Sequence, residues 1–154
     1  MRSLRGGLVA IVSGLCLLAV AASAGETPKK APTLYQRLGG YDAIAAVTDD
    51  FIVRLATDPT LSRFFVGVGE ASEKRIRQLV VDQICAATGG PCLYIGRDMK
   101  EVHKGLGISE KDWQTSVDLL VATLDKFEVG KQEKDELLAI VGTLKEQVVE
   151  APQP

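Results

Sequence analysis

Between two long runs of helical periodicity, residues 89–108 (GGPCLYIGRDMKEVHKGLGI) stop the chain from continuing as a plain helical bundle. Gly89-Gly90-Pro91 ends a helix, because glycine enters the left-handed conformation freely and proline has no N–H with which to extend the ladder. An irregular segment follows, and a short helix then presents His103, the single histidine of the chain. Here the backbone stops packing helices and positions one imidazole.

Everywhere else the apolar residues recur at helical spacing, which predicts an all-α fold. Thr33 caps a short helix over 34–38 that Gly39-Gly40 terminates. A second helix, over 42–57, places Ile44, Val47, Phe51 and Leu55 on a buried face and leaves Asp49, Asp50 and Arg54 to solvent. Asp58-Pro59 starts a short turn ending in Phe64-Phe65. Adjacent aromatics on so short a helix do not share one core patch, so one of them is expected to pack elsewhere.

Ser72 is predicted to cap a helix running to about residue 88, with Ile76, Val80, Ile84 and Ala87 as its apolar stripe and Leu79 on the flank. Gln83 falls within that stripe, and an amide buried there without a partner costs about 1–3 kcal/mol. A backbone carbonyl, a water or a ligand would satisfy it. Asp98 caps a helix of two turns in which Met99 and His103 lie one turn apart, with Val102 and Leu106 beside them. Ser109 and Asp112 then form a capping box, with aspartate in place of the usual Glu or Gln. The helix that they open buries Trp113, Val117, Leu120, Leu124 and Phe127. After Gly130, a last helix over 132–149 repeats Leu137, Val141, Leu144 and Val148 on one side, and 151–154 read as a disordered tail. No segment alternates with period two for long enough to make a strand.

A chain of 154 residues, 46% of them hydrophobic, supports one domain with one core. Residues 1–24 stand apart: Arg2 and Arg5 precede an apolar run from Leu8 to Ala22, and Ala22-Ser23-Ala24 offers the small residues of a cleavage site. They read as a signal peptide, with 25–32 as a polar spacer and 33–150 as the folded domain. The alternative is an uncleaved anchor, but the apolar run falls short of the ~20 residues that a spanning helix needs. Both readings place the domain outside the cytoplasm, periplasmic or secreted, with membrane contact only if the leader is retained.

Without the leader, 16 Lys and Arg remain against 20 Asp and Glu, a net charge of −4, so no basic face invites nucleic acid. Two cysteines remain, Cys85 and Cys92. Export permits a bridge between them, closing a loop worth about 2.5 kcal/mol at most, and two free thiols are the alternative.

With one histidine, the familiar constellations are easily weighed. A Ser-His-Asp or Cys-His site would have to use His103, but no G-x-S-x-G turn is present. Cys85, Cys92 and His103 match no common zinc spacing. A single axial histidine on a short helix between two long ones suits haem iron, while a packed core histidine is the plainer alternative.

Three segments together carry a resemblance: LYQRLGG, then DDF-x-V-R-L-x-x-D-P-x-L-x-x-F-F, then C-A-A-T-G-G-P-C-x-Y-x-G-x-x-M-K-x-V-H-x-G-L-G-I. In these the chain resembles the group 1 truncated haemoglobins, over residues 33 to about 148. The resemblance implies a two-over-two helical sandwich around haem b (iron protoporphyrin IX). It implies His103 as the proximal iron ligand, Phe65 as an aromatic wedge on the porphyrin, and Met99, Val102, Tyr94 and Ile108 as neighbours.

On the ligand side the chain departs from the family pattern. Members typically carry Tyr directly after the equivalent of Phe51, where this chain has Ile52. Counting back from Gly89-Gly90-Pro91 puts Ile76 and Val80 at two positions where Gln is frequent, and leaves Gln83 one turn further on. Bound O₂ gathers negative charge on its outer oxygen, and an apolar site gives that charge no donor. The expectation is reversible binding of O₂, CO or NO with weak preference for O₂. The enzymatic alternative is oxidation of NO to nitrate, which needs a stable O₂ complex and a reductase that the sequence does not identify. A haem-free helical adaptor is a third reading.

Overall fold

The computed structural model describes residues 30–150, so the leader, most of the spacer and the 151–154 tail lie outside the described residues. Helix α1 (Leu34–Arg37) opens with a complete capping box: the Thr33 hydroxyl accepts from the Gln36 amide, and Gln36 accepts from the Thr33 amide. Helix α2 (Gly40–Thr57) follows immediately on Gly39, and a 3₁₀ turn (Ser62–Phe65) leads to α3 (Glu70–Ala87). After the irregular segment come α4 (Met99–His103), α5 (Glu110–Lys126), α6 (Lys131–Gly142) and α7 (Lys145–Val148).

Helix α3 packs on α2, α2 also packs on α5, and α6 lies against α5. Two apolar clusters fill the contacts, Ile44, Ala45 and Val81 in one and Leu120, Leu124 and Leu137 in the other, with Ile84 touching both. Leu124 and Val81 are fully buried, each contributing about 1.5–3 kcal/mol relative to an exposed side chain. Among the described residues no helix is long and apolar enough to cross a membrane.

Four expectations change. Helix α3 starts at Glu70 on Gly69 rather than at Ser72, because the Gly69 carbonyl already accepts from the Ser72 and Glu73 amides. Its core-facing residues are Val81 and Cys85, while Ala87 is exposed. The last helix is interrupted at Thr143-Leu144, where a tight turn carries the Thr143 hydroxyl to the Ile140 carbonyl. Phe127 caps the end of α5 and is exposed rather than buried, since its helix ends there.

The acidic residues of α2 also do more than face solvent. Asp49 accepts from Arg77 of α3 at 2.5 and 3.0 Å. Asp50 accepts from Arg54 at 2.6 Å, from Thr123 of α5 at 3.2 Å and from Lys126. Arg54, then Lys126, hold the Asp50 carboxyl down at about 2. These pairs clamp α2 to both neighbours.

The end of α3 is fixed three ways. The Tyr35 amide donates to the Thr88 carbonyl at 2.8 Å. Gly89 has φ +83°, and at Gly90 a Cβ would stand 2.5 Å from the Tyr35 ring and 2.7 Å from Cys85 Sγ, so the chain turns only with glycine there. Cys85 and Cys92 are joined in a disulfide across this turn, which settles the choice left open by the sequence.

Candidate functional site

The helices and the irregular segment line a half-open cavity of about 410 Å³, within the roughly 300–1,000 Å³ of pockets that hold small molecules and cofactors. All eleven residues singled out in the sequence line it. Phe51 and Ile52 reach it from α2, Phe65 from the 3₁₀ turn, and Ile76, Val80 and Gln83 from α3. Tyr94, Met99, Val102, His103 and Ile108 supply the wall that follows the Gly-Gly-Pro break. Sequence separations of more than fifty residues thus converge on one space.

His103 is the residue whose local geometry is most informative. Its Nδ1 lies 2.8 Å from the carbonyl oxygen of Met99, one turn earlier on α4. A carbonyl only accepts, so Nδ1 carries the proton, and in the neutral tautomer this fixes, the lone pair is on Nε2. Hydrogen bonding of one ring nitrogen to a carbonyl is how proteins orient a metal-ligating imidazole. Among the described residues no group of three or more His, Cys, Asp or Glu side chains gathers to hold an ion. The donor set is therefore a single imidazole in the wall of a mostly apolar cavity, which fits a group that brings its own four equatorial ligands, as haem does.

Several lining residues were assigned by the sequence to the general core: Leu55, Trp113, Val117, Leu120 and Val148. Periodicity marks a side chain as inward-facing but does not distinguish a packed core from the wall of a cavity. Phe64 also lines the cavity beside Phe65, against the expectation that the pair would separate. The 3₁₀ turn stands at the cavity edge, and Arg63 stacks over Phe64 with its guanidinium carbon 4.3 Å from the ring centre.

Asp112 completes the capping box with Ser109 and is also a buried cavity residue, 3% exposed. It accepts from the Ser109 amide and hydroxyl at 2.9 and 2.6 Å and from Arg63 at 2.8 Å. Burial works against its charge, but the Ser109 hydroxyl and amide and the Arg63 guanidinium outweigh burial and hold the carboxyl below the ordinary value of 3.8. Its stabilising effect is therefore complete above that value and disappears as pH falls through the lower folded one. Asp112→Ala is expected to cost about 2 kcal/mol at neutral pH, a modest figure because Arg63 is half exposed and can return to water. Urea denaturation of wild type and variant at neutral and strongly acidic pH measures it, and the difference should shrink in acid.

Two helix pairs closing on an apolar slot with one imidazole define a small globin of the two-over-two class. The comparisons agree. A family model described as bacterial-like globin matches residues 33–150. The group 1 truncated haemoglobin of Mycolicibacterium paratuberculosis is 33% identical over 112 residues, covering 73% of this chain and 80% of that protein. The truncated haemoglobin of Tetrahymena pyriformis, in its Fe(III) form, superposes with a TM-score of 0.72 at 23% identity, covering 78% of this chain and all of that one. The 2/2 haemoglobin of Synechococcus sp. PCC 7002, solved in the cyanomet state with covalently attached haem, gives 0.67 at 28% identity over 75% of this chain and 95% of that one. The chain belongs to the bacterial-like globins, as a group 1 truncated haemoglobin. Membership implies haem and, with it, binding of gaseous ligands.

Proposed function

We propose that this chain binds haem b through His103 Nε2 and uses it to take up diatomic gases reversibly, with weak preference for O₂. The observation that carries the reading is His103, its Nδ1 bonded to the Met99 carbonyl, in the wall of a predominantly apolar cavity. When bound, haem supplies an iron site open to a gas; the residues around it decide which gas stays. Phe65, Met99, Val102, Tyr94 and Ile108 would pack the ring.

Non-covalent attachment is supported by the lining. It contains no free thiol, and its one histidine is already used by the iron. The ligand side would be formed by Ile52, Ile76 and Val80, none of which can donate a hydrogen bond. Gln83 lines the same cavity, and the hydrogen bonds among the described residues do not include its side chain. It would act through water. Export to an oxidising compartment fits the Cys85–Cys92 pairing.

CO and NO, which depend less on a donor than O₂ does, should be held comparatively well. Laser photolysis and stopped-flow on the ferrous protein test this: O₂ should leave quickly, and an O₂ off-rate as slow as that of a tyrosine-bearing relative contradicts the assignment. Supplying NO under steady reduction separates binding from catalysis. Sustained nitrate production over many turnovers would favour the NO dioxygenase reading and implicate a partner reductase.

A further inference from the structure

We propose that Glu150 is a positioning residue for His103: its carboxylate clasps the loop that follows α4 and thereby fixes the imidazole. The inference rests on the reading of His103 as the haem ligand. Glu150 itself lies outside the cavity wall.

Helix α4 has five residues, Met99–His103, far too few to be stable alone. Its first turn is secured by Asp98, whose Oδ1 accepts from the Glu101 amide at 2.9 Å. The other end carries His103 as its last residue and opens into an exposed loop, 104–107. A helix end of this kind frays unless something outside it holds the next residues.

Glu150 does so from more than forty residues away. The Gly105 amide donates to its Oε1 at 2.5 Å and the Gly107 amide to its Oε2 at 2.6 Å. The Glu150 amide in turn donates to the Ile108 carbonyl at 2.9 Å. Among the described residues the two carboxylate bonds are the only side-chain hydrogen bonds to the backbone of 104–108. Ile108 is 8% exposed and lines the cavity, so the clasp ties the loop to a buried wall. Helix α7, just before Glu150, also packs on α4. Bonds to a carboxylate are charge-assisted, and two from one side chain fix direction as well as distance.

His103 is thus held from three sides: the Asp98 cap, the Met99 carbonyl on Nδ1 and the Glu150 clasp behind. Removing the clasp should leave the fold intact and let the imidazole wander. Its bond to iron would weaken and haem would escape sooner.

The test uses the full-length haem-loaded protein as wild type, Glu150→Ala, Glu150→Gln and Lys145→Ala. The last removes the neighbouring Lys145–Glu110 pair of α7 and leaves the clasp untouched. Glu150→Ala should lose haem to an apoglobin acceptor roughly tenfold faster, the low end of the effect seen for outer partners of metal-bound histidines. Its iron–histidine stretching band should shift or broaden, and its Gly105 and Gly107 amides should exchange faster with solvent. Glu150→Gln, which keeps one acceptor and the side-chain shape, should fall between and carries the test if the alanine variant does not fold. Lys145→Ala should match wild type. Unchanged haem loss and an unchanged band in Glu150→Ala overturn the proposal, whether or not the two amides exchange faster. A wild-type protein that takes up no haem overturns the reading beneath it, while amide exchange in the haem-free chain still reports separately on the clasp.

Discussion

Replacing His103 with alanine is expected to lower haem affinity by on the order of a hundredfold or more while leaving the helical content unchanged. Disturbing an outer partner of a ligating histidine alone costs about 10–100-fold, and here the ligand itself is removed. No second imidazole or free thiolate stands nearby, since His103 is the single histidine of the chain and Cys85 is locked to Cys92. Helices α2, α3, α5 and α6 pack through Ile44, Val81, Leu120, Leu124 and Leu137, none of which touches α4 for support in either buried cluster. The fold should therefore survive, and competition for haem by an apoglobin acceptor measures the loss. Partial recovery in His103→Gly on adding free imidazole would show that the nitrogen, rather than packing, was missing.

The second large effect is a gain. Val80→Gln should slow O₂ dissociation by roughly 10- to 150-fold, because one hydrogen bond to a charged acceptor contributes about 1.5–3 kcal/mol and every 1.4 kcal/mol is about tenfold. CO, which develops little charge on its outer atom, should leave at nearly the wild-type rate. Ile52→Tyr places a hydroxyl on the same cavity from α2 and should act in the same direction. Stopped-flow displacement of O₂ by CO gives the rates. If neither variant slows O₂ release, then Ile52 and Val80 do not face the ligand and the account of the apolar ligand side is wrong.

Both effects turn on residues that the sequence had already brought forward, for different reasons. Helix spacing put Ile76, Val80 and Gln83 on one side of α3 and Phe51 on one side of α2, and apolar periodicity is enough to find an inward face. His103 stood out because it is alone and because the glycines around it end two helices. The Asp98 and Ser109 caps were legible because a cap is a local event, settled within four residues.

What was not legible is non-local. Gly69 rather than Ser72 caps α3, a choice made by which backbone carbonyl the chain offers, and both residues suit the role. Asp50 looked like a solvent-facing acid, and only the approach of α5 gives it Thr123 and Lys126 as partners. Val81 and Cys85 became the deepest residues of α3 because α2 covers that side, while only Ile76 and Val80 of the predicted apolar stripe border the cavity. Glu150 is the extreme case. Nothing in its own neighbourhood marks it, and its partners lie 45 and 43 residues back.

The most direct test of the account is the absorption spectrum of the purified, reduced wild-type chain after addition of haem, recorded beside that of His103→Ala. A Soret band of histidine-bound ferrous haem that shifts cleanly on adding CO is expected, with its loss or displacement in the variant. A wild-type chain that shows no Soret band after haem addition, or a band that His103→Ala leaves unchanged, would contradict it.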